Sequence, residues 1–141
     1  MSQVGETFFT RVGCMDGRVQ IPLRIYGQKK FNAEYPDTIT EAGIVGILAN
    51  NPSPEFLALL KSKLDISIDK HHSQGILVNG HQECAGNPVD DSRHIDDIRA
   101  SVLKIQELIG NRVSVVGVFV RRDPSNPSTW IVEEVPVTLN A

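Results

Sequence analysis

The run Gly75-Ile76-Leu77-Val78-Asn79-Gly80 limits the possible folds more than any other stretch of the chain. Consecutive apolar residues between glycines describe a strand buried on both faces, and such strands belong to parallel sheets covered by helices on either side. Parallel neighbours need long crossovers, so helical segments should separate the strands. The chain supplies them. Ser53 offers an N-cap, with Pro54 and Glu55 in the first turn and Phe56, Leu57, Leu60 and Leu64 as the apolar face. Asp90-Asp91-Ser92 offers N-caps for a helix whose face is Ile95, Ile98, Val102, Ile105 and Ile109, and Gly110 sits where a left-handed glycine ends a helix. Ile44, Ile47 and Leu48 predict a shorter helix that Asn50-Asn51-Pro52 closes.

The remaining strands are read from shorter signals. Phe8 to Cys14 predicts a first strand, and a second is expected to end near Ile39 after a break at Tyr35-Pro36. Val113 to Val120 is β-branched and apolar, and the polar turn Asp123-Pro124-Ser125-Asn126-Pro127 leads into the alternating segment Trp130 to Val137, which predicts a hairpin. Residues 19 to 34 show no dominant period. The expected fold is α/β, a single domain over residues 1–141 with a mainly parallel central sheet. About four parallel strands in the order 2-1-3-4, plus an antiparallel edge strand, would be flanked by helices.

Composition excludes several function classes. Fourteen basic against seventeen acidic residues give a net charge of -3, and the longest basic clusters are the pairs Lys29-Lys30 and Arg121-Arg122. No basic stripe suited to nucleic acid is present. Met1 to Thr10 lacks the form of a signal peptide, and no stretch approaches the roughly 18 apolar residues of a membrane span, so a cytoplasmic location is expected. The two cysteines, Cys14 and Cys84, are then expected to serve as ligands or nucleophiles rather than a disulfide.

Two motifs carry the chemistry, Cys14-Met15-Asp16-Gly17-Arg18 after the first strand and His81-Gln82-Glu83-Cys84 after the third. Two thiols and an imidazole are preferred zinc donors, and the spacing of His81 and Cys84 suits chelation of one ion. Cys14 would join them if the second strand lies on one side of the first and the third on the other, because a crevice opens where the strand order reverses. Three protein ligands leave a tetrahedral ion one open position, the mark of a catalytic zinc site, where water would ionise far below its bulk pKa. Asp16 could ligate the metal or accept a hydrogen bond from the bound hydroxide, and a bidentate pair with Arg18 would keep it ionised and off the metal.

The combination Cys14-x-Asp16-x-Arg18 and Gly80-His81-x-x-Cys84 resembles the signature of the β-carbonic anhydrases. The apolar run Val115-Val116-Gly117-Val118-Phe119-Val120 before a hairpin is similar to that family's late strand pair. The resemblance implies reversible hydration of carbon dioxide to bicarbonate by a zinc-bound hydroxide. It implies Zn2+ on Cys14, His81 and Cys84, with Asp16 and Arg18 as the catalytic dyad, in a homodimer or higher homo-oligomer. Where the family carries Arg-Asn-Ala-Gly-Asn, this chain has Thr40-Glu41-Ala42-Gly43-Ile44. That departure keeps open a related zinc hydrolase acting on carbonyl sulfide or carbon disulfide. A third reading, a non-catalytic zinc-binding module, would have Asp16 close the coordination sphere.

Other residues take plainer readings. Glu41 suits the first turn of a helix, and His71, His72 and His94 lie in polar stretches where solvated imidazoles are expected. Gly43 and Gly80 are expected to allow close backbone approach near the crevice. Gln82, Glu83 and Asn87 could line the pocket, although nothing in their spacing demands it.

Overall fold

The computed structural model describes residues 5–138, so the N-terminal segment Met1 to Thr10 falls partly outside the described residues. Among the described residues, five strands form one sheet: β1 Phe8–Gly13, β2 Tyr35–Thr40, β3 Ile76–His81, β4 Val115–Asp123 and β5 Asn126–Val135. Their spatial order is β2-β1-β3-β4-β5. The first four run parallel, and β5 returns antiparallel to β4, so the expected order and antiparallel edge are both present. The helices are α1 Gln20–Phe31, α2 Ile44–Ala49, α3 Pro54–Asp69 and α4 Asp91–Ile109. Among the described residues, no helix is long and apolar enough to cross a membrane.

All six residues of β3 are buried. Successive side chains of a strand point to opposite faces, and the two faces have separate cores. Ile76 and Val78 join Val12, Phe119 and the apolar sides of α2, α3 and α4. Leu77 points the other way, toward Val118, Val120, Val19 and Leu23 under α1. A continuous apolar run is therefore what this position demands.

The predicted helix ends are present. Ser53 Oγ accepts from the Phe56 amide at 3.1 Å, Asp90 Oδ1 accepts from the Arg93 amide at 2.9 Å, and Gly110 closes α4 at φ 62°. Glu41 differs from expectation: it precedes α2 instead of entering its first turn, and its carbonyl accepts from the Ile44 amide at 3.2 Å.

Residues 19–34 contain α1, which the 3-10 turn Gly17–Val19 leads into. Its period is hidden because only Leu23 and Gly27 are fully buried, while Ile21 and Ile25 are 62% and 46% exposed. Gly27 is small for a reason: a Cβ there would stand 2.2 Å from the Phe9 ring. Pro36 lies inside β2 rather than before it, which an edge strand tolerates because one of its sides needs no ladder donor. The β4–β5 turn is shorter than expected, with β5 starting at Asn126, and a register shift between Arg122 and Asp123 absorbs the difference.

Gly110 and Gly117 separate backbone strain from packing. Around Gly110 a Cβ would meet nothing within 4 Å, so Gly110→Ala is expected to cost only the left-handed penalty, about 1–2 kcal/mol. At Gly117 a Cβ would stand 2.8 Å from Ile98 Cγ2 and 2.9 Å from Val102 Cγ2, so Gly117→Ala adds overpacking of about 1–3 kcal/mol without a left-handed penalty. Urea unfolding checks both, together with crystal structures of the variants; a shifted α4 is expected only for Gly117→Ala.

Candidate metal centre

Cys14 follows β1, His81 closes β3, and Cys84 lies three residues on in the next turn. Their donor atoms all lie within 4.8 Å of one another, and all three residues are buried. Cys14 Sγ is 3.8 Å from Cys84 Sγ, although the two are 70 residues apart in sequence. Both cysteines are free thiols. The structure thus brings together the three residues that the sequence pattern selects.

His81 has one nitrogen committed and one available. Its Nδ1 lies 2.7 Å from the Gln82 carbonyl, a partner that can only accept, so Nδ1 carries the proton and donates. Nε2 is left with a lone pair, buried and without a hydrogen-bond partner. A buried acceptor without a donor is costly. A cation among the two sulfurs and this nitrogen satisfies it, and the donor set suits a thiophilic divalent ion such as zinc.

The surrounding loops are held by close backbone contact. Gly43, at φ 61°, lies so near the turn after Cys84 that a Cβ would stand 2.4 Å from the Gly86 carbonyl. This approach lets the Gly43 amide donate to Cys14 Sγ at 3.5 Å. Gly80 behaves differently: its neighbours are the side chains of Ile98 and Val45 rather than backbone. Ile44 is buried in the main core, which accounts for an apolar residue at that position.

The two thiols are driven apart in acidity. Burial pushes Cys14 up, but a proton on the His81 ring facing it in the metal-free protein, together with the Gly43 and Asp16 amides, outweighs it and lowers the thiol to about 6. Burial pushes Cys84 up, and the neighbouring Cys14 sulfur adds to that rise. Arg11, 2% exposed, lies beneath them. Its guanidinium donates to the Cys14 carbonyl at 3.1 Å, to Asn79 Oδ1 at 3.3 Å and to Gln20 Oε1. Burial lowers its pKa to about 10 while Cys14 opposes the shift, so it remains cationic at neutral pH.

Asp16 is held by Arg18. Its Oδ1 accepts from the Arg18 amide at 2.9 Å and from Nε at 3.1 Å, and its Oδ2 accepts from Nη2 at 2.7 Å. The Arg18 guanidinium, against the opposing effect of burial, holds the Asp16 carboxyl down at about 2. Gln20 Nε2 fixes the turn beneath by donating to the Asp16 carbonyl at 2.6 Å and the Cys14 carbonyl at 3.1 Å.

Gln82, Glu83, Asn87 and Trp130, none of which the sequence pattern demands, also converge here. Glu83 receives Arg18 and Arg122, and Trp130 lies under both guanidinium groups. Gln82 ties the same turn to α4 through Asp91, at 2.9 Å. Asn87 donates to the buried Asp97 at 2.9 Å. The histidines divide. His72 is exposed as expected. His71 instead stacks on Phe8 at 4.2 Å with Nδ1 2.7 Å from Asp37, and His94 is 1% exposed and stacks on Phe119 at 5.9 Å. The polar sequence around His94 is the outer side of α4, while its own side chain faces the core; neither residue joins the trio.

Comparison with known proteins agrees with this geometry. Residues 4–135 match the family model described as "Putative carbonic anhydrase". The fold is similar to the solved β-carbonic anhydrase isoform I of the protozoan Trichomonas vaginalis, with a TM-score of 0.58 and 19% identity over 96% of this chain and 87% of that one. It is also similar to a β-carbonic anhydrase of the fungal pathogen Aspergillus fumigatus, with a TM-score of 0.54 and 12% identity over 96% of this chain and 79% of that one. At such identities these likenesses establish the fold alone. No protein among curated sequences matches the chain.

Unequal thiols predict pH-dependent metal uptake. With Cys14 lowered to about 6 and Cys84 raised, binding through both thiolates should release at least one proton per ion at pH 8 and more as the pH falls through about 6. Affinity for zinc therefore rises with pH, more steeply in the acid range. Calorimetry in buffers of different ionisation enthalpy measures the released protons; uptake without proton release would contradict this pairing.

Proposed function

Since the chain belongs to the carbonic anhydrase family, we propose that it catalyses the reversible hydration of carbon dioxide to bicarbonate, with zinc held by Cys14, His81 and Cys84. The observation that carries the reading is the bidentate grip of Arg18 on Asp16 beside a three-donor cluster. Held in this way, Asp16 would stay off the metal as a fourth ligand, which favours an enzyme over a closed zinc-binding module. Bound zinc supplies a Lewis acid that brings the ionisation of water toward neutral pH.

The chain's own residues then do three things. His81 presents Nε2 because its Nδ1 proton is spent on the Gln82 carbonyl. Arg11 places a buried positive charge next to Cys14 and offsets the negative charge of the two thiolates. Asp16 orients the reacting oxygen. An ionised carboxylate accepts about four hydrogen bonds, and Arg18 takes two on Oδ1 and one on Oδ2. The remaining site on Oδ2 can receive the O–H of a water at the cluster, which turns that oxygen's lone pair toward the substrate carbon.

The same reading extends to partners and location. Met15, Ile21 and Ile25 are 65%, 62% and 46% exposed, and an apolar groove of about 400 Å³ runs between α1 and β5 past Tyr26, Trp130 and Val132. Surface of this kind suits a homodimer or higher homo-oligomer. Free thiols side by side suit a reducing, cytoplasmic compartment.

Zinc-loaded protein is expected to hydrate carbon dioxide at a rate that rises with pH in stopped-flow assays. Asp16→Asn should lower kcat by about 100-fold or more with zinc content retained, because the amide puts an NH2 donor in place of one acceptor oxygen. A zinc-loaded oligomer inactive at every pH would contradict the proposal, and sulfide release from carbonyl sulfide by that same protein would transfer the activity to sulfur substrates. Sedimentation should give a dimer or larger species; a monomer at micromolar concentration would remove the assembly.

A further inference from the structure

Glu83 stands between His81 and Cys84, yet its carboxylate serves a different purpose from theirs. Its backbone is left-handed, at φ 59°, a conformation that non-glycine residues seldom adopt. From there the side chain bridges two guanidinium groups. Arg18 Nη1 donates to Oε1 at 3.2 Å, and Arg122 Nη2 donates to the same oxygen at 3.1 Å while its Nε donates to Oε2. Arg18 Nη2 also donates to the Glu83 carbonyl at 3.2 Å. Beneath them lies Trp130, with Arg122 Cζ 4.5 Å and Arg18 Cζ 5.2 Å from the ring centre. The indole in turn meets His81 edge-on at 6.5 Å.

The charges alternate from Asp16 to Arg18 to Glu83 to Arg122 and sum to zero. This order matters because the Arg18 side chain is 41% exposed. A lone ion pair at such exposure fixes its geometry weakly, whereas a network with stacked cations does so better. Removing Glu83 would leave two like charges over one indole with nothing between them. Arg122 is itself anchored by the hairpin, with its amide on Gln82 Oε1 at 2.9 Å and its Nη1 on the Pro127 carbonyl at 2.7 Å.

We propose that Glu83, Arg122 and Trp130 are positioning residues: they lock Arg18 and, through it, hold Asp16 at the mouth of the Cys14-His81-Cys84 cluster instead of letting it collapse onto the cluster. This rests on the reading above, in which Asp16 orients the reacting oxygen. The β4–β5 hairpin thereby becomes part of the site, although no hairpin residue is among its donors.

A double-mutant cycle with a spectroscopic companion tests the proposal. Glu83→Gln and Arg122→Ala should each lower kcat for carbon dioxide hydration by about tenfold or more, with KM and bound zinc unchanged. In an Arg18→Ala background neither should cause a further loss beyond about twofold, since both act through Arg18. Arg122→Lys should recover only part of the loss, because it keeps the charge without the forked donors. The Arg18 Nε–H resonance, identified by its disappearance in Arg18→Ala, should be sharp at pH 7 in the wild type and broadened in Glu83→Gln and Arg122→Ala. Equal losses in both backgrounds, or an unchanged Arg18 resonance, would overturn the lock. Wild-type protein inactive toward carbon dioxide but with the expected resonance changes would instead overturn the proposed reaction and leave the lock standing.

Discussion

The parallel pairing of β1 with β3 is the constraint from which the site follows. In their register Thr10 lies opposite Ile76, Arg11 opposite Leu77 and Val12 opposite Val78. Cys14 leaves β1 two residues beyond that pairing, and His81 ends β3 three residues beyond it. A slip of one residue would turn Val12 and Val78 out of one core and Leu77 out of the other, so the hydrophobic pattern that secures the sheet also aligns the donor residues. Because β2 lies on the far side of β1, the loop carrying Gly43 opens at the same end and completes the crevice.

Electrostatic order at the cluster comes from fixed groups on either side. Below it, Arg11 is a buried cation whose hydrogen-bond partners are two side-chain amides and a backbone carbonyl, and the charge of an ionised Cys14 favours its cationic form. Above it, the Asp16–Arg18 pair and its continuation through Glu83 and Arg122 form a neutral chain at the surface.

Much of this was legible in the chain before folding. The β3 run required a two-faced sheet, the α3 and α4 caps fell where Ser53, Asp90 and Gly110 indicated, and both halves of the donor set stood at strand ends. Helix α1 was not legible, because its exposed Ile21 and Ile25 blur the apolar period and Gly27 is explained only by the Phe9 ring against it. His94 misleads for the opposite reason: polar neighbours surround a side chain that points inward. Glu83, Arg122 and Trp130 had no local signal at all, since their roles exist only once three separate segments meet around Arg18.

X-ray absorption at the zinc edge of the purified protein tests the central claim most directly. A single ion with two sulfur neighbours at about 2.3 Å and two nitrogen or oxygen neighbours at about 2.0–2.1 Å, the sulfur signal being lost in Cys84→Ser, is the result this structure predicts. A zinc shell without sulfur, or protein that retains no zinc after purification and reconstitution, would contradict it.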